Sequence, residues 1–547
     1  MRTVAKKIDA SVSSAPSSDW WRGAVLYQIY PRSFADANRD GIGDLTGAAE
    51  HLEYVASLGV DGIWLSPFFP SPMRDFGYDV SDYRGVDPIF GSLADFDGLL
   101  VRAHALGLKV IIDQVWSYTS LDHPWFAESR ASRGNARADW YVWADARVDG
   151  SPPSNWRSWM GGPAWTWEPR RRQYYLHNFL PEMPDLNFHC PAVQEAILDV
   201  ARFWLERGVD GFRLDTSNFY FHSRGLEDNP AQKGDYPAQM QRNVYNICQP
   251  ENLVFLERVR TVLDGYRERM TVAEISSASS LERMVEYTCG TGRLHTAYSF
   301  LLLGERFDPA FISELMRPWQ DKATGGSRSW PTWAFSNHDT VRVATRWAGP
   351  NADPARCQQL IALLACLRGT IVLYQGEELG LPESEIPLEQ LQDPYGKANW
   401  PLNKGRDGCR TPMPWRAGAH AGGFTSGTPW LAFEARHRAL AVDVQEARSD
   451  STLNFTRRVL AHRRQHPELR LGSFEPLVAD HDLLVAWRRL DGDASLVAFN
   501  LGPSRRTHDL PSRPGAAASS IAVGEAAIDG HRLVLGAWSG LIISERP

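Results

Sequence analysis

The hydrophobic positions of the chain alternate between short apolar runs and longer segments with helical spacing. Val25 to Tyr30, Gly62 to Leu65 and Lys109 to Asp113 are apolar runs of this kind. Between them, Ala48 to Leu58 and Leu93 to Ala105 carry apolar residues at helical intervals and stop at Gly59 and Gly107. Strands this apolar are buried on both faces, so the alternation predicts a parallel sheet with helices outside. It continues with strands at 211–214, 270–273, 333–336 and 370–374, and another near 293–298. Eight such strands make an α/β fold of the (β/α)8 TIM-barrel type, which places chemistry at the C-terminal ends of its strands.

The pattern pauses between Trp116 and Asn187, a stretch holding Pro152-Pro153, Gly161-Gly162 and Trp165-Thr166-Trp167. A structureless loop of that length is rare in a compact chain, so an inserted small domain is expected. Ser223 to Tyr245 reads as a second polar loop, placed to line an acceptor side. Phe455 to His466 reads as the last barrel helix, with Arg463-Arg464 on a solvated face. From about Leu469 the chain changes to short apolar runs at 483–487, 495–499 and 531–535, separated by Gly, Asp and Pro. That predicts a small antiparallel β domain. The expected division is a disordered arm at 1–18, a barrel at 19–115 and 188–468, an insert at 116–187 and a C-terminal β domain at 469–547.

A chain of 547 residues exceeds what one core supports, in keeping with this division. The net charge is −7, and no basic patch points to nucleic acid. No apolar run is long enough to span a bilayer. Six scattered cysteines have no metal-ligand or disulfide spacing, so reduced thiols and a cytoplasmic location are expected. The 21 Trp and 17 Tyr offer flat amphipathic faces that suit sugars.

The strand ends are polar. The third ends at Asp113, the fourth at Arg213 and Asp215, the fifth at Glu274, and the seventh runs into Asn337-His338-Asp339. Arg213 and Asp215 are two apart and so face the same way along a strand. Asp215, Glu274 and Asp339 are expected to converge at one mouth. After the first strand, Asp36, Asn38, Asp40, Ile42 and Asp44 fall at alternate positions beside Gly41 and Gly43. Hard oxygen donors at this spacing suit a single structural Ca²⁺ or Mg²⁺. Gly47 stands where an EF-hand would need its bidentate glutamate, so a sensor is not expected.

Several motifs resemble the α-amylase-like family, glycoside hydrolase family 13, in its α-glucosidase and oligo-1,6-glucosidase branch. They are Tyr27-Gln28-Ile29-Tyr30-Pro31-Arg32-Ser33-Phe34, Gly77-Tyr78-Asp79-Val80, Gly211-Phe212-Arg213-Leu214-Asp215, Ala273-Glu274-Ile275 and Ser336-Asn337-His338-Asp339. Tyr174-Tyr175-Leu176-His177, Gly405-Arg406-Asp407 and Arg410-Thr411-Pro412-Met413-Pro414-Trp415 add to them. The resemblance implies Asp215 as nucleophile, Glu274 as general acid/base and Asp339 as the third carboxylate, holding a distorted sugar ring. It implies Asp79, Arg213, His338 and Arg406 as contacts to the glucosyl unit, walled by Phe179 and Phe300. It also implies a cation in the loop 36–44 and places the family's domain B at the insert. Retention needs two carboxyl groups ~5 Å apart, one ionised and one protonated. An adjacent Arg213 favours the charged Asp215, and Glu274 must be pushed toward its protonated form.

The chain departs from the branch at four places. Ser117-Tyr118 stands where Asn-His or Ser-His is usual, so Tyr118 offers a hydroxyl in place of an imidazole. Met183 precedes Pro184-Asp185, Trp159-Met160 replaces two phenylalanines, and Ala273 replaces a glycine. By motif, all four are expected around the pocket. Thr216, after the nucleophile, points to maltose-type α-1,4 linkages. The expected activity is an exo-acting α-glucosidase that also transfers glucose to sugar or alcohol acceptors, with small α-glucosides as substrates. The alternatives are a dedicated transglucosylase or sucrose-acting relative, and a non-catalytic carbohydrate-binding member.

Overall fold

The computed structural model describes residues 19–234, 237–320, 329–349, 353–512, 515 and 517–545. The arm expected at 1–18 lies outside the described residues. Eight parallel strands form one sheet: β1 (Val25–Ile29), β2 (Gly62–Leu65), β3 (Lys109–Gln114), β4 (Gly211–Leu214), β5 (Met270–Ile275), β6 (Thr296–Ser299), β7 (Thr332–Ala334) and β8 (Thr370–Tyr374). Their order is β7-β8-β1-β2-β3-β4-β5-β6. The remaining seam between β6 and β7 is spanned by a parallel bridge from Ala297 to Pro331 and a hydrogen bond between the Thr296 and Thr332 hydroxyls. The result is a nearly closed barrel, as the alternation predicts.

Side-chain alternation fills the two faces differently. Leu26, Trp64, Ile111, Met270, Val272, Tyr298, Ala334 and Val372 pack together as one cluster. Tyr27, Ile63, Val110, Ile112, Phe212, Leu214 and Ala273, of opposite parity, belong to the large cluster shared with the helices. Arg213 therefore leaves β4 on the side away from Phe212 and Leu214. Its partner across the β3–β4 ladder is Asp113.

Two expectations about helices change. The helix expected over 48–58 is two pieces, Leu45–Glu50 and Leu52–Ser57, broken at His51, whose φ of −101° and ψ of 6° leave the helical region. The first piece starts early because Asp44 caps it, accepting from Gly47 N at 2.7 Å. Arg463 is not on a solvated face. It lies on the helix Thr452–Gln465 and is 1 % exposed. Its guanidinium donates to the carbonyls of Ala365, Leu469 and Gly369, tying this helix to the loop before β8.

Between β3 and β4 the chain forms the helix Pro124–Ala131 and a three-stranded antiparallel sheet of Trp143–Ala144, Gln173–Leu176 and Trp165–Glu168. Isolated bridges from Tyr118 to Asp185 and from Tyr141 to Leu186 fasten both ends of this stretch to each other. After the barrel, a five-stranded antiparallel sheet takes Glu475–Asp480, Leu483–Leu490, Asp493–Asn500, Ser539–Glu545 and Ala517–Val523 in that spatial order. A three-stranded sheet of Arg506–Asp509, Arg532–Leu535 and Ala526–Asp529 completes it.

Candidate active site

A cavity of about 360 Å³ opens at the C-terminal ends of the barrel strands, within the usual range for small-molecule sites. Asp215, Glu274 and Asp339 all line it. Arg213 lies beneath, 1 % exposed, with a guanidinium shared by three carboxylates. Nη1 donates to Asp215 Oδ1 at 2.6 Å and to Asp113 Oδ1 at 2.7 Å. Nη2 donates to Glu274 Oε2, and to Tyr298 Oη at 3.1 Å. The one guanidinium thus bridges Asp215 and Glu274.

One buried cation cannot neutralise three buried carboxylates. Burial pushes Glu274 well above the usual carboxylate range, and neighbouring Asp215 and Asp339 add to the rise against the opposing pull of Arg213. Burial likewise takes Asp113 up to about 7. Burial thus favours the protonated form of Glu274. Asp215 accepts two further hydrogen bonds on Oδ2, from Tyr118 Oη at 3.1 Å and Thr216 Oγ1 at 3.2 Å.

Asp339 sits on the opposite wall. Arg410 Nη2 is 3.0 Å from its Oδ1, and Arg406 Nη1 is 3.4 Å from the same oxygen. His338 beside it is pushed down to about 3 by burial and is neutral. With the Gln28 amide donating to Nδ1 at 2.8 Å, the ring proton is on Nε2, which faces Tyr78 Oη at 2.5 Å and Asp339 Oδ2 at 3.2 Å. Burial works to raise Asp339, but Arg406, Arg410 and the contact with His338 hold it below the usual carboxylate range.

The sequence expectation fails at Asp79. Its carboxylate is fully buried and turned into its own loop, accepting from Ser71 Oγ at 2.8 Å, Asp75 N at 3.0 Å and Arg74 N at 3.1 Å. The carboxylate that lines the cavity is Asp75, which accepts from Arg406 Nη2 at 2.5 Å. Tyr78 also lines the cavity and was missed. The signal was present in the sequence, since Asp75 and Asp79 flank the same Gly77-Tyr78 pair. Phe179, Phe300, Tyr118, Thr216 and Arg406 line the cavity as expected, and His338 and Arg213 lie behind its wall. Among the four departures, Tyr118 and Trp159-Met160 reach the cavity. Met183 and Ala273 do not; both are fully buried in the hydrophobic core.

The loop 36–44 is a series of side-chain-to-backbone turns. Asp36 accepts from Arg39 N and Gly41 N, Asp40 from Ile42 N, and Asp44 from Ala37 N and Asn38 N. Among the described residues no three His, Cys, Asp or Glu side chains converge as a ready metal cluster. The donor set is nonetheless all hard oxygen. Asp44 is raised by burial, and the nearby Asp36 carboxylate adds to the rise, so the loop carries negative charge that a cation would relieve.

Comparison with known proteins agrees with this geometry. The family model for the α-amylase catalytic domain matches residues 28–472. A probable α-glucosidase of Rhizobium meliloti (strain 1021) is 52% identical over 91% of this chain and 92% of its own length. An oligo-1,6-glucosidase of Heyndrickxia coagulans is 35% identical over 90% of this chain and 94% of its own. Among solved structures, the α-glucosyl transfer enzyme XgtA superposes with a TM-score of 0.92 at 53% identity, covering 96% of this chain and 99% of that one. The trehalulose synthase MutB from Pseudomonas mesoacidophila MX-45 gives a TM-score of 0.88 at 31% identity, covering 97% and 100%. The chain belongs to the α-amylase catalytic-domain family of glycoside hydrolases, in its α-glucosidase and oligo-1,6-glucosidase branch.

Proposed function

We propose that the chain is a retaining exo-α-glucosidase that releases or transfers one α-glucosyl unit from short α-glucosides. The observation that carries this reading is the bridging of Asp215 and Glu274 by the Arg213 guanidinium, with Glu274 pushed up by burial. Two carboxyl groups held on neighbouring nitrogens of one guanidinium suit the short spacing of retention (~5 Å) rather than the wider gap that inversion needs for its water.

In this reading Asp215 attacks the anomeric carbon while Glu274 protonates the departing oxygen. Glu274 then takes a proton from the incoming water or alcohol, and the Asp215–glucosyl bond breaks. Asp339 and Asp75, held by Arg406 and Arg410, take hydroxyl groups of the glucosyl ring. Phe179, Phe300 and Tyr118 wall that ring, and Thr216 favours α-1,4 linkages. Tyr118, Trp159, Met160 and Phe179 all come from the insert between β3 and β4, which supports a short, one-ended site and hence exo action.

A reading toward transfer is favoured by the likeness to XgtA, described as an α-glucosyl transfer enzyme. One panel decides between them: maltose, isomaltose, sucrose and starch, each with and without an added alcohol, with products identified. Glucose from maltose, faster than from isomaltose, is the expected result. Disaccharide or alkyl glucoside as the main product without net hydrolysis establishes a dedicated transglucosylase. We also assign the loop 36–44 a single structural Ca²⁺ or Mg²⁺, held by Asp36, Asn38, Asp40, the Ile42 carbonyl and Asp44. The six free thiols support a reducing, cytoplasmic setting.

A further inference from the structure

Tyr118, which departs from the branch just after β3, reaches the Asp215 carboxylate together with Thr216. Tyr118 Oη donates to Asp215 Oδ2 at 3.1 Å. Thr216 Oγ1 lies 3.2 Å from the same oxygen, and the Ser117 hydroxyl supports it at 2.6 Å. Tyr118 is 2 % exposed, its backbone carbonyl is held by Tyr83 Oη at 2.7 Å, and its ring packs on Phe179 with centroids 5.2 Å apart. The hydroxyl therefore has little freedom to leave Asp215. Thr216 has a φ of +41°, uncommon for a β-branched residue, and this turn helps bring its hydroxyl back onto Asp215.

We propose that Tyr118 is a positioning residue for the nucleophile, and that with Ser117 and Thr216 it forms a hydroxyl clamp favouring release of the glucosyl group over its capture. The inference rests on the reading of Asp215 as nucleophile. Hydrogen bonds to a carboxylate are stronger than to an ester, because the ester oxygens carry less charge. When the Asp215–C1 bond forms and the bond to the aglycone oxygen breaks, Glu274 gives its proton to that oxygen and the clamp weakens. When water or an alcohol attacks C1, its proton passes to Glu274, the Asp215–C1 bond breaks, and the clamp is regained. The clamp thus stabilises the free carboxylate relative to the glucosyl ester. It slows attack and speeds departure.

The test is Tyr118→Phe, which keeps the ring against Phe179, with an aryl α-glucoside whose good leaving group makes the second step limiting. The expected result is kcat and KM falling together by about three- to tenfold, the net scale of one hydrogen bond. The pre-steady-state burst of aryl alcohol should grow relative to the unsubstituted enzyme, toward one per active site, and be followed by a slower steady state. Tyr118→Ala, which also removes the ring, should add a rise in KM. A raised KM with unchanged kcat in Tyr118→Phe would overturn the proposal and make the Tyr118 hydroxyl a sugar contact only, with no hold on the nucleophile. Kinetics identical to the unsubstituted enzyme, burst amplitude included, would make it structural. Full turnover by Asp215→Asn would instead remove the nucleophile reading itself.

Discussion

Asp75 and Arg406 are 331 residues apart in sequence, and Arg406 Nη2 donates to Asp75 Oδ1 at 2.5 Å. The same guanidinium reaches Asp393 at 2.7 Å and Asp339 at 3.4 Å. This pairing aims a buried carboxylate into the cavity, whereas the nearby Asp79 is spent on its own loop.

Asp75→Asn and Asp79→Asn should therefore fail differently. The first loses charge at the proposed glucosyl site, and kcat/KM should fall about a hundredfold, the scale of one charge-assisted hydrogen bond. Its melting temperature should change little. The second sets an amide against the Arg74 or Asp75 backbone N–H and should destabilise the fold by about 1–3 kcal/mol. Steady-state kinetics and thermal melts on both variants separate the roles. A large kinetic defect confined to Asp79→Asn would restore Asp79 as the sugar contact.

Glu274 is held protonated by burial, so activity should decline as pH rises through its folded value. Glu274→Gln should lower hydrolysis of maltose about a thousandfold, within the range for a lost general acid. The loss should be much smaller for the first step with an aryl glucoside whose leaving group needs no proton. An equal loss on both substrates would argue against proton donation by Glu274.

Glu377 offers a test of stability against pH. Burial pushes it up to about 8, and its Oε1 has no hydrogen-bond partner among the described residues. Its unfolded value is about 4.3. Between those limits the unfolded chain has released the proton and the folded chain keeps it, so stability falls as pH rises across this window. Glu377→Gln removes that cost. Its melting temperature should exceed the unsubstituted enzyme's by roughly 1–2 °C at pH 8 and by less at pH 5. A gain independent of pH would contradict the assignment.

Chelation addresses the loop 36–44. EDTA should lower the melting temperature, and added Ca²⁺ or Mg²⁺ should restore it, because an ion bound only by the folded chain stabilises it by mass action. No shift with EDTA would remove the cation from the loop.

Much of the molecule is local in origin and was legible without coordinates. The apolar runs mark β1 to β5 and β8 because a strand covered on both faces must be apolar along its length. Arg213 and Asp215 share a side because strand periodicity is two. Glu274 and Asp339 follow from the rule that barrel chemistry lies at strand ends. Other features depend on residues distant in sequence. Asp75 and Asp79 have the same chemistry and flank the same three residues, and only the arrival of Arg406 decides which faces the cavity. Met183 and Ala273 sit in functional motifs yet pack in the core, and Arg463 resembles its charged neighbour Arg464 yet is buried under five backbone carbonyls. Local pattern determined the strands and the acids at their ends. Tertiary contact decided which polar groups face the cavity, because a buried charge adopts the orientation in which its partners, wherever they lie in the chain, satisfy it.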